Sequence, residues 1–185
     1  MTEQKNNHSM NRRTFLLRAA QLAVGLSLTE PLDLLARTFP NNIISFFHTH
    51  TEERFDLRFD GRFCPRSTKI KLFSFLRDFR TGDVHPIDLG LMKILLKIQK
   101  ETGSKGVCEV ISGYRSPKTN ASLRSRSSGV ARNSLHLQGK AIDIRLSDVP
   151  TKELRDAAIS LKAGGVGYYA KSDFVHIDTG DFRTW

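Results

Sequence analysis

Ser134-Leu135-His136-Leu137-Gln138-Gly139-Lys140-Ala141-Ile142-Asp143 is answered near the end of the chain by Phe174-Val175-His176-Ile177-Asp178. These two stretches decide the fold. Ala141 to Leu146 alternates apolar and polar residues as a strand, and Gly139 lets the backbone turn into it. Phe174 to Asp178 reads as a second strand, paired with Val166 to Tyr169 across a turn near Lys171-Ser172. Six residues separate His136 from Asp143, which suits a loop-then-strand approach to one point. If the strand of His176 lies beside that of Asp143, the two imidazoles and the carboxylate converge. That donor set suits a catalytic zinc ion, because three protein ligands leave the fourth tetrahedral position open. An Asp inside the apolar run Ala-Ile-Asp-Ile also needs a cation or hydrogen bonds to offset its burial.

Working outward, Ile43 to Thr49 and Phe55 to Phe59 read as short strands, and Val107 to Ile111 as a third. Ile70 to Phe79 and Leu89 to Ile98 carry apolar residues at helical spacing, with Gly103 as a natural stop after the second. Thr119 to Arg126 reads as a polar helix, and Lys152 to about Leu161 as a further helix after Pro150. No internal repeat or long linker interrupts residues 37–185. The expected fold class is α+β: a single domain with a mainly antiparallel sheet, helices packed on one side, and the zinc site at the sheet.

Residues 1–36 read differently. Asn11-Arg12-Arg13-Thr14-Phe15-Leu16-Leu17 places paired arginines before an apolar pair, and Ala19 to Leu28 forms a short apolar run. This is the layout of an export signal of the twin-arginine kind. The run is about ten residues, too short to cross roughly 30 Å of hydrocarbon. Ala36 is the expected cleavage point, but Leu34 suits the upstream small-residue position poorly, so an uncleaved signal anchor stays open. The expected localisation is the periplasm, with membrane contact only through such an anchor.

The 185 residues carry a formal net charge of +10, to which Arg124, Arg126, Arg132, Lys140 and Arg145 contribute beyond the signal. A basic surface favours an anionic partner. The chain shows no zinc-finger spacing and no basic recognition helix, so nucleic acid is excluded in favour of the cell wall or a membrane surface. A monomer is expected. Cys64 and Cys108 are the only cysteines, and whether they pair or remain two buried thiols is left open by their spacing. His48-Thr49-His50 alternates on a strand without an evident third ligand and reads as structural. His85, before Pro86, reads as a loop residue.

Four ordered blocks carry a resemblance: Ser112-Gly113-Tyr114-Arg115-Ser116; Ser134 to Asp143; Gly164-Gly165-Val166-Gly167-Tyr168-Tyr169; and Phe174 to Gly180, with Trp185 ending the chain. Over roughly residues 43 to 185 the chain resembles the YcbK-like (MepK-type) murein endopeptidases. These belong to the wider group of zinc D-alanyl-D-alanine carboxypeptidases and dipeptidases. The resemblance implies one zinc ion held by His136, Asp143 and His176, and hydrolysis of peptide cross-links on peptidoglycan stem peptides. It implies a general base three positions before the last histidine, where Asp173 stands. Asp178, on the same strand face as His176, is the competing base. Arg115 is the substrate contact that the resemblance implies, consistent with a guanidinium's bidentate hold on carboxylates. Ser134 is read equally as a substrate contact or as a shaper of its loop. The rival readings are a carboxypeptidase trimming terminal D-amino acids and a non-catalytic wall-binding module with a structural zinc.

Overall fold

The computed structural model describes residues 42–127 and 129–185; the expected signal segment lies outside them. The described chain is an α+β domain built on a seven-stranded sheet. Its elements are β1 (Ile43–His48), β2 (Arg54–Arg58), α1 (Arg66–Phe75), α2 (Leu89–Thr102), β3 (Cys108–Ser112), α3 (Pro117–Arg126), β4 (Ala141–Leu146), α4 (Thr151–Ser160), β5 (Gly165–Tyr169), β6 (Phe174–Asp178) and β7 (Arg183–Thr184). Short 3-10 turns cover Leu135–Gln138 and Ala170–Ser172.

The strand order is β2-β1-β3-β4-β6-β5-β7. Neighbours are antiparallel except β1 with β3 and β5 with β7. The parallel β1–β3 pair needs a crossover, and α1 and α2 supply it. The pairing on which the sequence argument rests is present: β4 and β6 are adjacent and antiparallel, with Asp143 directly opposite His176.

Strand alternation separates the core from the site. Ile142, Ile144 and Leu146 of β4, with Val175 and Ile177 of β6, join a hydrophobic cluster that includes Leu72 of α1, Leu91 and Leu95 of α2 and Leu154 of α4. Each such side chain, fully buried, contributes on the order of 1.5–3 kcal/mol of transfer free energy. The intervening Asp143, His176 and Asp178 therefore face the opposite side of the sheet. They are buried there by the loop before β4 and by the end of the chain rather than by the apolar core.

Several boundaries move for physical reasons. Helix α1 ends at Phe75, a turn before the expected Phe79, because the Leu76 carbonyl accepts from Tyr114 N (2.8 Å) and is lost to the helix. Phe79 instead stacks on His50 at 4.2 Å. Helix α2 runs one turn further than expected to Thr102, opened by the Asp88 side chain accepting from Gly90 N (2.8 Å) and ended at Gly103. Helix α3 starts at Pro117, whose missing N–H costs nothing at the first helical position, with Ser116 as N-cap. Strand β7 has no counterpart in the sequence reading. Cys64 and Cys108 are separate free thiols, both buried, and burial pushes the Cys108 thiol pKa up.

Candidate metal centre

His136 sits on the 3-10 turn Leu135–Gln138, opened by Ser134, whose hydroxyl accepts from His136 N (3.4 Å). Gly139 closes the turn at φ +64, where a Cβ would meet the Pro86 carbonyl at 2.1 Å. Both the left-handed backbone and the close approach require glycine. The turn delivers the imidazole over β4. His136 Nε2 lies 3.1 Å from Asp143 Oδ1 and 3.2 Å from His176 Nδ1, and His176 Nδ1 lies 2.8 Å from Asp143 Oδ1. All three side chains are buried.

The outer hydrogen bonds decide what these three atoms present to each other. His136 Nδ1 donates to the Gly113 carbonyl at 2.6 Å, so its Nε2 carries a bare lone pair. His176 stands between two carboxylates, and in its neutral form with Nε2 donating to Asp178 Oδ2 at 3.1 Å the lone pair is on Nδ1. The third member is a carboxylate oxygen. With both rings neutral, three lone pairs face one another with no proton between them, an arrangement that a cation relieves. Among the described residues, this is the group of His, Cys, Asp or Glu side chains whose ligand atoms could hold a metal ion. Two nitrogens and one oxygen match a three-ligand zinc site with an open position.

The remaining partners hold the ligands in place. Arg115 donates through Nη2 to Asp143 Oδ2 and through Nε to Ser112 Oγ (2.9 Å). A register shift between Val110 and Ser112 in β3 turns Ser112 to face Asp143. Asp178 is fully buried. Besides His176 it binds Arg183 through both oxygens (2.6 and 3.1 Å), and it accepts from Gly165 N (3.0 Å) and Gly180 N (2.9 Å).

The titration tendencies follow. Burial opposes the Asp143 charge, but His136, His176 and Arg115 outweigh it and hold the carboxyl well below the usual range. Asp178 is likewise lowered: burial opposes its charge, and His176, Arg183 and two backbone amides overcome it. Burial lowers the His136 pKa. For His176 burial acts in the same sense, but the hydrogen bonds to Asp143 and Asp178 reverse it and raise the pKa.

A cavity of about 390 Å³ opens above this cluster, with Arg115, His136, Asp143 and His176 on its floor. The loop from Val130 to Leu135 forms one wall, and Tyr169, Phe174, Arg183 and Trp185 form the other. Neither carboxylate weighed as general base reaches it. Asp173 is exposed, in a left-handed turn residue (φ 51), and binds Thr151 Oγ1 (2.8 Å) and Arg145 Nη1 (3.5 Å) rather than lining the cavity. Asp178 sits on the far nitrogen of His176, on the opposite side of the ring from Asp143. Ser134 lines the cavity, with its hydroxyl turned to His136 N. Arg115 lines it too, but its guanidinium is committed to Asp143 and Ser112.

Sequence reasoning missed Ser112, Arg183 and the Gly113 carbonyl. The carbonyl leaves no side-chain signal, and Arg183 sits in a polar tail without periodicity. His48 is buried at the end of β1 and His50 stacks on Phe79; among the described residues neither belongs to the metal-capable group. No helix among the described residues is long and apolar enough to cross a membrane.

Residues 37–185 match the family model described as Peptidoglycan L,D-endopeptidase MepK. The chain is 41% identical over 177 residues to the peptidoglycan L,D-endopeptidase MepK of Escherichia coli strain K12, covering 95% of this chain and 97% of that one. It is 41% identical over 184 residues to the probable peptidoglycan L,D-endopeptidase MepK of Haemophilus influenzae, covering 97% and 98% respectively. With a three-donor centre under an open cavity and near-complete coverage at this identity, the chain belongs to the MepK family of M15 metallopeptidases.

Proposed function

We propose that this protein is an exported zinc peptidase that cleaves peptide cross-links of peptidoglycan at an amide of L,D type, the specificity named for its relatives. The observation that carries the proposal is the trio of buried ligand-type atoms on His136, Asp143 and His176, within 3.2 Å of one another at the floor of an open cavity. Zinc, when bound, supplies Lewis-acid polarisation of the amide carbonyl and activation of the attacking water. The protein's part is orientation. Gly113 and Asp178 fix the two imidazole tautomers, and Arg115 holds the outer oxygen of Asp143, so the inner oxygen faces both rings. Ser134 shapes the turn that carries His136.

Export through the twin-arginine route fits Asn11-Arg12-Arg13-Thr14-Phe15-Leu16-Leu17. That route would deliver the chain already folded to the periplasm, where its positive charge favours residence on an anionic envelope.

The deciding experiment is digestion of purified peptidoglycan with and without a chelator, followed by muropeptide analysis. The proposal expects cross-linked dimers to fall to monomers, chelation to stop this, and added zinc to restore it. Loss of only a terminal D-residue would instead identify a carboxypeptidase. A zinc-loaded protein that binds the wall without cleaving it would identify a binding module.

A further inference from the structure

The wall of the cavity beside His176 is built from aromatic side chains that the metal chemistry does not use. The Trp185 indole lies 5.2 Å from the His176 ring, centre to centre. Its backbone is tied to β5 at both ends, with Tyr168 N donating to Trp185 O (3.0 Å) and Trp185 N donating to Val166 O (3.3 Å). Its Nε1 donates to Tyr169 Oη at 3.1 Å, and Tyr169 in turn stacks on Phe174 at 4.5 Å and 16°. The Arg183 guanidinium stands 5.1 Å from the Trp185 ring centre. Beneath the indole is Gly167, where a Cβ would come within 2.5 Å of it. The strand leaves out a side chain where the ring lies.

Trp185 is nevertheless 51% exposed as a residue and lines the cavity. A large aromatic residue fixed by two backbone bonds and a side-chain bond, yet half open to solvent in a cavity, is placed for recognition rather than for the core. Gly167 is the register partner of His176, so the shelf adjoins a metal ligand directly. A group lying on it belongs to the residue next to the amide held at the metal centre.

We infer that Trp185, Tyr169 and Phe174 form a specificity shelf that binds the aliphatic side chain of the stem-peptide residue adjoining the scissile amide. This rests on the peptidase reading above. A glycan ring would stack on an indole as well, but the sugar is joined to the stem at its far end, beyond reach of a shelf that touches His176.

Trp185 is the only tryptophan in the chain, so its fluorescence reports on the shelf directly. The experiment has two arms on the full chain. In the first, metal-depleted protein is titrated with a purified cross-linked muropeptide or with glycan strands stripped of peptide. A saturable change in tryptophan emission with the muropeptide and none with the glycan is expected. A response to the glycan alone, or to neither, overturns the inference.

In the second arm, Trp185→Ala is expected to raise KM about tenfold with kcat within about twofold, because stacking and lost contact area together are worth about 1.4 kcal/mol. Zinc content and thermal unfolding should match the unmodified protein. Trp185→Phe should retain most of the affinity, and Gly167→Ala should raise KM like Trp185→Ala by pushing the indole aside. An unchanged KM in Trp185→Ala, or an activity loss that tracks zinc loss, overturns the shelf while leaving the peptidase reading intact. If the unmodified protein cleaves nothing, the peptidase reading fails and the emission arm still decides whether the shelf binds peptide.

Discussion

The carboxylate of Asp143 is divided between two neighbours: Oδ1 faces both imidazoles, at 3.1 Å from His136 Nε2 and 2.8 Å from His176 Nδ1, while Oδ2 takes the Arg115 guanidinium. Arg115 Nε is anchored in turn on Ser112. Arg115 thus holds a carboxylate of the candidate metal centre, a contact that its expected role as a substrate contact did not include.

Replacing Arg115 by Ala is therefore expected to lower zinc affinity by about 10–100-fold, the range usual for lost outer partners of metal ligands. Excess zinc should restore part of the hydrolysis. Arg115→Lys should rescue poorly, since one ammonium cannot reproduce the planar fork that bridges Ser112 and Asp143. Competition with a chromophoric chelator measures the affinity. A raised KM with unchanged zinc affinity would return Arg115 to a purely substrate-binding role.

Asp178 makes a second such prediction. It faces the far nitrogen of His176, accepting from Nε2, and its two oxygens are filled by Arg183 and two backbone amides. In Asp178→Asn one oxygen becomes an amide donor, which cannot satisfy the His176 N–H and the Arg183 guanidinium together. Zinc affinity should again fall by about 10–100-fold. A general base would behave otherwise, with kcat collapsing while zinc stays bound, so equilibrium zinc titration beside kcat separates the two roles.

Asp173 is expected to be dispensable for the chemistry. Its carboxylate is exposed and occupied by Thr151 and Arg145, outside the cavity wall. Asp173→Asn should leave kcat within about twofold and cost less than about 1 kcal/mol of stability, as for other exposed ion pairs. Loss of hydrolysis with zinc retained would restore it as the base.

How much of this was legible follows from the range of the contacts. The pairing of Asp143 with His176 could be read because strand alternation is local and an acid in Ala-Ile-Asp-Ile advertises its own problem. The helical stretch of α2 was readable for the same reason, through Leu91, Met92, Leu95 and Ile98. What escaped depends on partners far away in sequence. The end of α1 is set by a carbonyl bond from Leu76 to Tyr114. Strand β7 is two residues recognised only through their pairing with β5. Alternation placed Asp178 on the face of His176, but not behind its ring with Arg183 from the tail. The parallel β1–β3 pair likewise emerges only once the crossover through α1 and α2 has closed.

The last prediction concerns acid stability and lies away from the metal centre. His48 is fully buried at the end of β1, edge-on to Phe75 (6.0 Å) and Phe79 (5.5 Å). Its Nδ1 accepts from His50 N at 3.3 Å, so Nε2 carries the hydrogen, buried without a hydrogen-bond partner among the described residues. Protonation would place a second hydrogen on Nδ1, break the His50 bond and charge a ring among aromatics. Burial, aided by His50 and Arg77, lowers its pKa from 6.5 to about 4. Between those values the unfolded chain binds a proton that the fold refuses. The stability is thus fully present above pH 6.5 and is lost as the pH falls toward 4, by about 3 kcal/mol for the whole span. His48→Asn keeps an acceptor for His50 N and removes the titration. Urea unfolding at pH 4.5 and 7 should show a smaller difference for that variant than for the unmodified protein. Equal differences in the two would place the acid sensitivity elsewhere in the chain.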